Sequence, residues 1–163
     1  MKYLYQVSLL LILSACYNRP VEKTGLEGKP MPSFTIQLID STQFLNTSQL
    51  EDGKPIVLVY LSPYCPYCRA QMQDMVDDMD KMTQFQFCLV TSYPLKDMAK
   101  FYNEYNLAKY PNIIAGKDTA NFVINYFKTP WIPYTAIYSK DKKFEKSYSG
   151  KIFAKQIWEA IEN

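Results

Sequence analysis

The sequence predicts an α/β domain, a central mixed β-sheet with helices on both faces. Three observations carry that expectation. Two apolar, β-branched runs, Ile56 to Leu61 and Phe85 to Thr91, have the make-up of strands covered on both sides. Apolar residues at helical spacing follow each of them. The 163 residues are 48% hydrophobic and 21% charged, which fits one globular domain and excludes a wholly disordered chain.

In chain order, Phe34 to Leu38 alternates apolar and polar, as a half-buried strand does. After the first buried run comes a helix with Met72, Met75, Val76, Met79 and Met82 on one face; Asp74, Asp77, Asp78 and Asp80 lie mostly off it. The second buried run contains Cys88, expected as core filler. Leu95, Met98, Ala99 and Tyr102 repeat at helical spacing, and Asn112 to Ala115 is a short strand candidate. Ala120, Val123, Ile124 and Phe127 mark a further helix, for which Asp118 offers an N-cap. Pro133 to Ser139, a Lys140 to Lys143 turn and Phe144 to Ser149 form a hairpin. Phe153, Ile157, Ala160 and Ile161 close the chain with a helix. Strands alternating with helices in this way build a layered sheet domain.

Met1-Lys2, the mostly apolar stretch Tyr3 to Leu13 and Leu13-Ser14-Ala15-Cys16 read as an export signal. The apolar stretch is shorter than the roughly 20 residues a membrane span needs. Leu-Ser-Ala-Cys resembles the bacterial lipobox, which implies lipidation of Cys16 and removal of residues 1–15. Acyl chains on Cys16, at about 0.8 kcal/mol per buried CH₂, would anchor the protein to a membrane. Residues 16–30, polar with Gly and Pro, are expected to form a flexible tether, and residues 31–163 the domain. The expected location is extracytoplasmic, where disulfides persist.

Composition excludes several chemistries. There is no histidine, so catalytic triads, His-paired cysteine proteases and imidazole metal sites are ruled out. Eighteen basic and sixteen acidic residues give a net charge of +2, and no basic run supplies a nucleic-acid surface. No cofactor motif and no metal ligand set is expected. Four cysteines remain, and two of them carry the chemistry.

Cys65 and Cys68 stand three apart, directly after a buried strand and at the mouth of a helix. A sulfur at a helix N-terminus lies near unpaired backbone N–H groups and the positive dipole end, which favours the thiolate. Cys65 is therefore the expected nucleophile. Cys68, one turn on, is the expected resolving thiol. Pro66 suits the first helical turn, where its missing N–H costs nothing. Arg69 adds a positive charge nearby.

The stretch Ser62-Pro63-Tyr64-Cys65-Pro66-Tyr67-Cys68, with Thr129-Pro130-Trp131-Ile132-Pro133-Tyr134 before a later strand, resembles the thioredoxin-like superfamily. Within it, the chain is similar to membrane-tethered, extracytoplasmic redoxins of the TlpA/ResA type. The resemblance implies a thioredoxin-like fold and a redox-active Cys65–Cys68 disulfide. It implies a cis Pro133 facing the dithiol, and Ile132 as the residue whose backbone pairs with an extended substrate segment. Tyr64, Pro66, Tyr67 and Trp131 are the expected rim of the substrate site. The implied activity is thiol–disulfide exchange with envelope proteins, coupled to a membrane electron donor or acceptor.

Departures from the family matter as well. The buried carboxylate that thioredoxins place six residues before the first cysteine is Val59 here, so the base for Cys68 stays open among water, another carboxylate and the substrate thiolate. Known CxxC couples span about −270 to −120 mV, and the Pro-Tyr pair does not fix the direction of electron flow. A thiol peroxidase of the peroxiredoxin type is one alternative: Ser62 fits its motif, but Leu58 stands where it has Pro. The other is a redoxin-fold binding module with a structural disulfide or a Cu(I) role, for which the methionine stripe would supply soft ligands.

Overall fold

The computed structural model describes residues 23–40 and 42–162. The signal segment and Cys16 lie outside the described residues.

Eleven elements alternate along the chain: β1 (Thr35–Leu38), β2 (Phe44–Asn46), β3 (Ile56–Tyr60), α1 (Pro66–Asp77), β4 (Gln86–Thr91), α2 (Leu95–Glu104), β5 (Ile113–Lys117), α3 (Phe122–Phe127), β6 (Tyr134–Tyr138), β7 (Phe144–Ser149) and α4 (Ala154–Glu162). The seven strands form one sheet in the order β2-β1-β5-β4-β3-β6-β7. Strands β3, β4 and β5 run parallel, and both flanks are antiparallel. The two apolar runs of the sequence are thus the central strands, and every residue of β3 and β4 is buried.

Alternation along these strands splits the core in two. Val57, Val59, Leu61, Phe87 and Leu89 face one layer, which α1, α2 and α4 cover with Cys68, Met72, Met75, Met98, Phe101 and Ile157. Ile56, Leu58, Tyr60, Cys88 and Val90 face the other, covered by α3 through Val123 and by Phe34 and Leu50. Helices lie on both faces, as the sequence predicts.

Some elements differ from the sequence expectation. The helix of the methionine stripe ends at Asp77, and Met79–Met82 form a separate 3-10 turn. Asp77, Asp78 and Asp80 crowd the negative end of the helix dipole, which disfavours further helix. The four methionines Met72, Met75, Met79 and Met82 are all buried in the core. Strand β2 is too short for a visible alternation; Asp40 makes its turn by accepting bonds from the Thr42 and Gln43 N–H groups. Asp118 does not occupy the N-cap position of α3, which is Asn121 in a left-handed conformation. From outside the helix, its buried carboxylate accepts bonds from the Ala120 and Val123 N–H groups.

Residues 24–30, assigned from sequence to a tether, make defined contacts. Thr24 and Glu27 close a turn, Leu26 packs against the second core layer, and Gly28, Lys29 and Met31 exchange backbone bonds with Lys142 and Phe144.

Candidate active site

The site is built where β3 hands over to α1. Cys65 is the N-cap of α1 with extended backbone (φ −74°, ψ 122°), and Pro66 opens the helix. The Cys65 N–H donates to the Ser62 carbonyl, and its own carbonyl accepts the first helical bond from the Arg69 N–H at 3.0 Å. The Ser62 hydroxyl accepts from the Tyr64 N–H. These bonds fix the turn that carries the cysteine to the end of the sheet.

Cys65 is partly exposed, whereas Cys68, one turn along, is 2% exposed. Both are free thiols. Burial pushes the Cys68 thiol up to about 12; a bond from the Ser62 backbone N–H pulls the other way, and the hydrogen bond to Cys65 raises it further. No carboxylate is among the groups acting on it. Val59 lies in the same apolar layer as Cys68.

The Ile132–Pro133 peptide bond is cis. Ile132 faces the dithiol: the Cys65 Sγ donates to its carbonyl at 3.9 Å. Trp131 just before it is 66% exposed, and Tyr64 and Tyr67 are similarly open. Thr129, buried, holds the Trp131 backbone by accepting from its N–H and donating to its carbonyl. The structure thus brings Cys65, Cys68, Ile132 and Pro133 to one place. Pro66 joins them at the helix start, and exposed aromatic rings flank the site.

Arg69 does not turn toward the sulfur. Its guanidinium donates to the Pro63 carbonyl at 3.2 Å and pairs with Glu104 on α2, while the Tyr105 ring stacks near it. Tyr64 is held from the same side. The Asp97 carboxylate, hydrogen-bond partner of its hydroxyl, raises the phenol above its usual range, and its ring meets Tyr93 edge-on at 5.6 Å. A cavity of about 180 Å³ beside the loop is lined by Pro63, Tyr64, Arg69, Asp97, Phe101 and Glu104. A second cavity, of about 500 Å³, lies at the opposite end of the parallel strands and holds no cysteine.

Sequence reasoning missed Asp97, Gln71 and Thr129. Gln71 was visible as a polar residue within the apolar stripe of α1. Asp97 gave no such signal, because its partner Tyr64 is 33 residues away in the chain.

Cys88 lies in the layer on the other side of the sheet from Cys68, fully buried, its thiol pushed up to about 12 by desolvation. Backbone of the central strands separates it from the dithiol, which leaves it the role of core filler.

Residues 28–152 match the model of the AhpC/TSA family. The thiol:disulfide interchange protein DsbE of Escherichia coli is 38% identical over 52 residues, a stretch that covers 31% of this chain and 28% of that protein. The chain therefore matches less than a third of that relative's length. A secreted disulfide oxidoreductase of Mycobacterium tuberculosis, homologous to E. coli DsbE, has a similar structure. Its TM-score is 0.66 at 20% identity, covering 79% of this chain and 94% of that one. The pneumococcal exposed lipoprotein thioredoxin of Streptococcus pneumoniae has a TM-score of 0.62 at 20% identity, covering 80% and 98%. The fold is thioredoxin-like, and the chain belongs to the AhpC/TSA family.

Proposed function

We propose that this protein is a lipid-anchored thiol–disulfide oxidoreductase of the TlpA/DsbE kind, working on protein disulfides in the cell envelope. One observation carries the reading: a partly exposed cysteine at a helix N-terminus has a buried thiol one turn behind it and the Ile132 carbonyl in front of it. Such a pair suits a two-step exchange. The Cys65 thiolate attacks one sulfur of a substrate disulfide. That S–S bond breaks, one substrate thiolate leaves, and a mixed disulfide forms. Cys68 then attacks the Cys65 sulfur, closing Cys65–Cys68 and releasing the second substrate sulfur. Two electrons pass from the dithiol to the substrate, and the reverse sequence oxidises a dithiol substrate. With no carboxylate acting on Cys68, its proton leaves to water or to the departing substrate thiolate.

Placement at the envelope rests on Leu13-Ser14-Ala15-Cys16 and on relatives described as secreted or as an exposed lipoprotein. A membrane electron donor or acceptor would reset the pair after each turnover. The peroxidase alternative has weaker support. The Ser62 hydroxyl already serves the Tyr64 N–H, and Leu58 points into the core layer on the far side of the sheet. The Cu(I) alternative loses its methionines to the core.

The test is the midpoint potential of the Cys65–Cys68 couple in the domain lacking residues 1–16, set by thiol buffers and read by counting alkylated thiols by mass. A reversible two-electron couple supports the reading, and its value assigns the direction. In parallel, Cys68→Ser should accumulate mixed disulfides with envelope proteins that Cys65→Ser does not form. Absence of both the couple and the adducts would leave a binding module.

A further inference from the structure

We propose that Gln71 is a positioning residue that locks the Ile132 segment onto the cysteine-bearing helix; this rests on the dithiol reading above. Gln71 lies on α1, three residues after Cys68, and is 1% exposed. An amide buried that deeply is costly unless both ends are paired, and here both are. Its Nε2 donates to the Thr135 hydroxyl at 3.0 Å, and its Oε1 accepts the Ile152 N–H at 2.9 Å.

Those two partners decide what the amide does. Thr135 is the second residue of β6, two positions beyond Pro133 and three beyond Ile132. It stands in register opposite Val59 of β3, on the face that packs against α1. Ile152 precedes α4, and one turn along α1 Asp74 repeats the pattern by accepting the Ala154 N–H at 2.6 Å. Gln71 therefore joins three segments: the helix that carries Cys65 and Cys68, the strand that follows Ile132, and the approach to α4. The carbonyl facing Cys65 belongs to the segment that this amide ties down. Among the described residues no backbone–backbone bond uses the Ile132 N–H, and the carbonyl meets the Cys65 thiol, the group that an incoming disulfide engages.

A link of this kind acts on substrates that use the Ile132 backbone and is silent toward those that do not. Two probes separate the cases, each assayed with excess glutathione to re-reduce the Cys65–Cys68 pair and the uncatalysed rate subtracted: hydroxyethyl disulfide, which has no peptide group, and a disulfide-bridged dimer of an extended pentapeptide. Thr135→Val removes the hydroxyl while keeping the shape. It should lower kcat/KM for the peptide about tenfold, with the loss mainly in KM, and leave the rate with hydroxyethyl disulfide within about twofold. Thr135→Ser, which restores the hydroxyl, should recover the peptide rate. Gln71→Met should repeat the Thr135→Val pattern, and the double variant should lose little more than either single one.

Equal losses on the two probes, or no loss on the peptide, overturn the proposal while the dithiol reading stands. No turnover of either probe by the unaltered protein overturns the dithiol reading, and the proposal with it. Should Gln71→Met fail to fold, the Val and Ser pair at position 135 still decides.

Discussion

The Cys65 sulfur lies 3.9 Å from the Ile132 carbonyl oxygen, joining two segments 67 residues apart in the chain. It is the only one of the three cysteines of the described residues that is not buried. Native reduced protein treated with iodoacetamide near pH 8 should therefore take its first adduct on Cys65. Thiols raised to about 12, as at Cys68 and Cys88, are ionised to only about one part in ten thousand there. Peptide mapping by mass over time reads the order. Modification of Cys88 at the rate of Cys65 would contradict the burial described for it.

Cys88 also makes stability depend on alkaline pH. Its thiol titrates near about 12 in the folded chain, against roughly 8.5 when unfolded. Between those values the folded state holds more protons than the unfolded one, so stability falls as pH rises. It is fully present below about 8.5 and lost progressively toward 12. Cys88→Ala removes this contribution and opens a small cavity, so the variant should be less stable at pH 7, by about 1–2 kcal/mol. Above pH 9 the gap should narrow, by as much as about 1.4 kcal/mol per unit. Urea unfolding of both proteins at several pH values checks it, with Cys68 common to both. Parallel curves would mean that Cys88 does not carry the alkaline loss.

The parts of this fold legible in the sequence are those whose side chains meet one kind of environment. Strands β3 and β4 are apolar on both faces, and nothing but a central strand accommodates that. The dithiol was legible because its spacing, the strand before it and the helix after it all fall within about fifteen residues. Sheet order was not, since the place of β1 beside β5 depends on pairings between segments far apart in the chain. The short strand β2, with Phe44 60% exposed, carries too few buried residues to leave a pattern. The direction of Arg69 depends on Glu104, 35 residues away, and only the folded chain sets it.

Asp118 is a case where the residue was legible and its geometry was not. Its carboxylate satisfies the Ala120 N–H ahead of α3 and the Val123 N–H in the first turn of α3, the latter bond measuring 2.8 Å. Val123 is fully buried, so water cannot replace the carboxylate. Asp118→Ala should cost about 1–3 kcal/mol, seen as a lower urea midpoint with an unchanged slope. Asp118→Asn keeps an acceptor oxygen for one of the two and should cost less. A loss under about 0.5 kcal/mol in the alanine variant would place the helix start under some other control.

Gly116 gives a prediction that separates fold from chemistry. It sits in β5 between Leu38 of β1 and Val90 of β4 in register. A Cβ built there would meet the Gln37 carbonyl oxygen at 2.3 Å and the Ile36 Cγ2 at 2.6 Å. The first contact is backbone and cannot swing aside, so an added methyl must push β1 off the sheet. Overpacking of that kind costs about 1–3 kcal/mol, and Gly116→Ala should show it as a lower unfolding midpoint. Strand β1 lies at the far side of β5 and β4 from β3, where the cysteine loop begins. The Cys65–Cys68 midpoint potential should therefore stay at its unaltered value in the folded variant. A shifted potential together with normal stability would invert the assignment and tie the β1 edge to the dithiol.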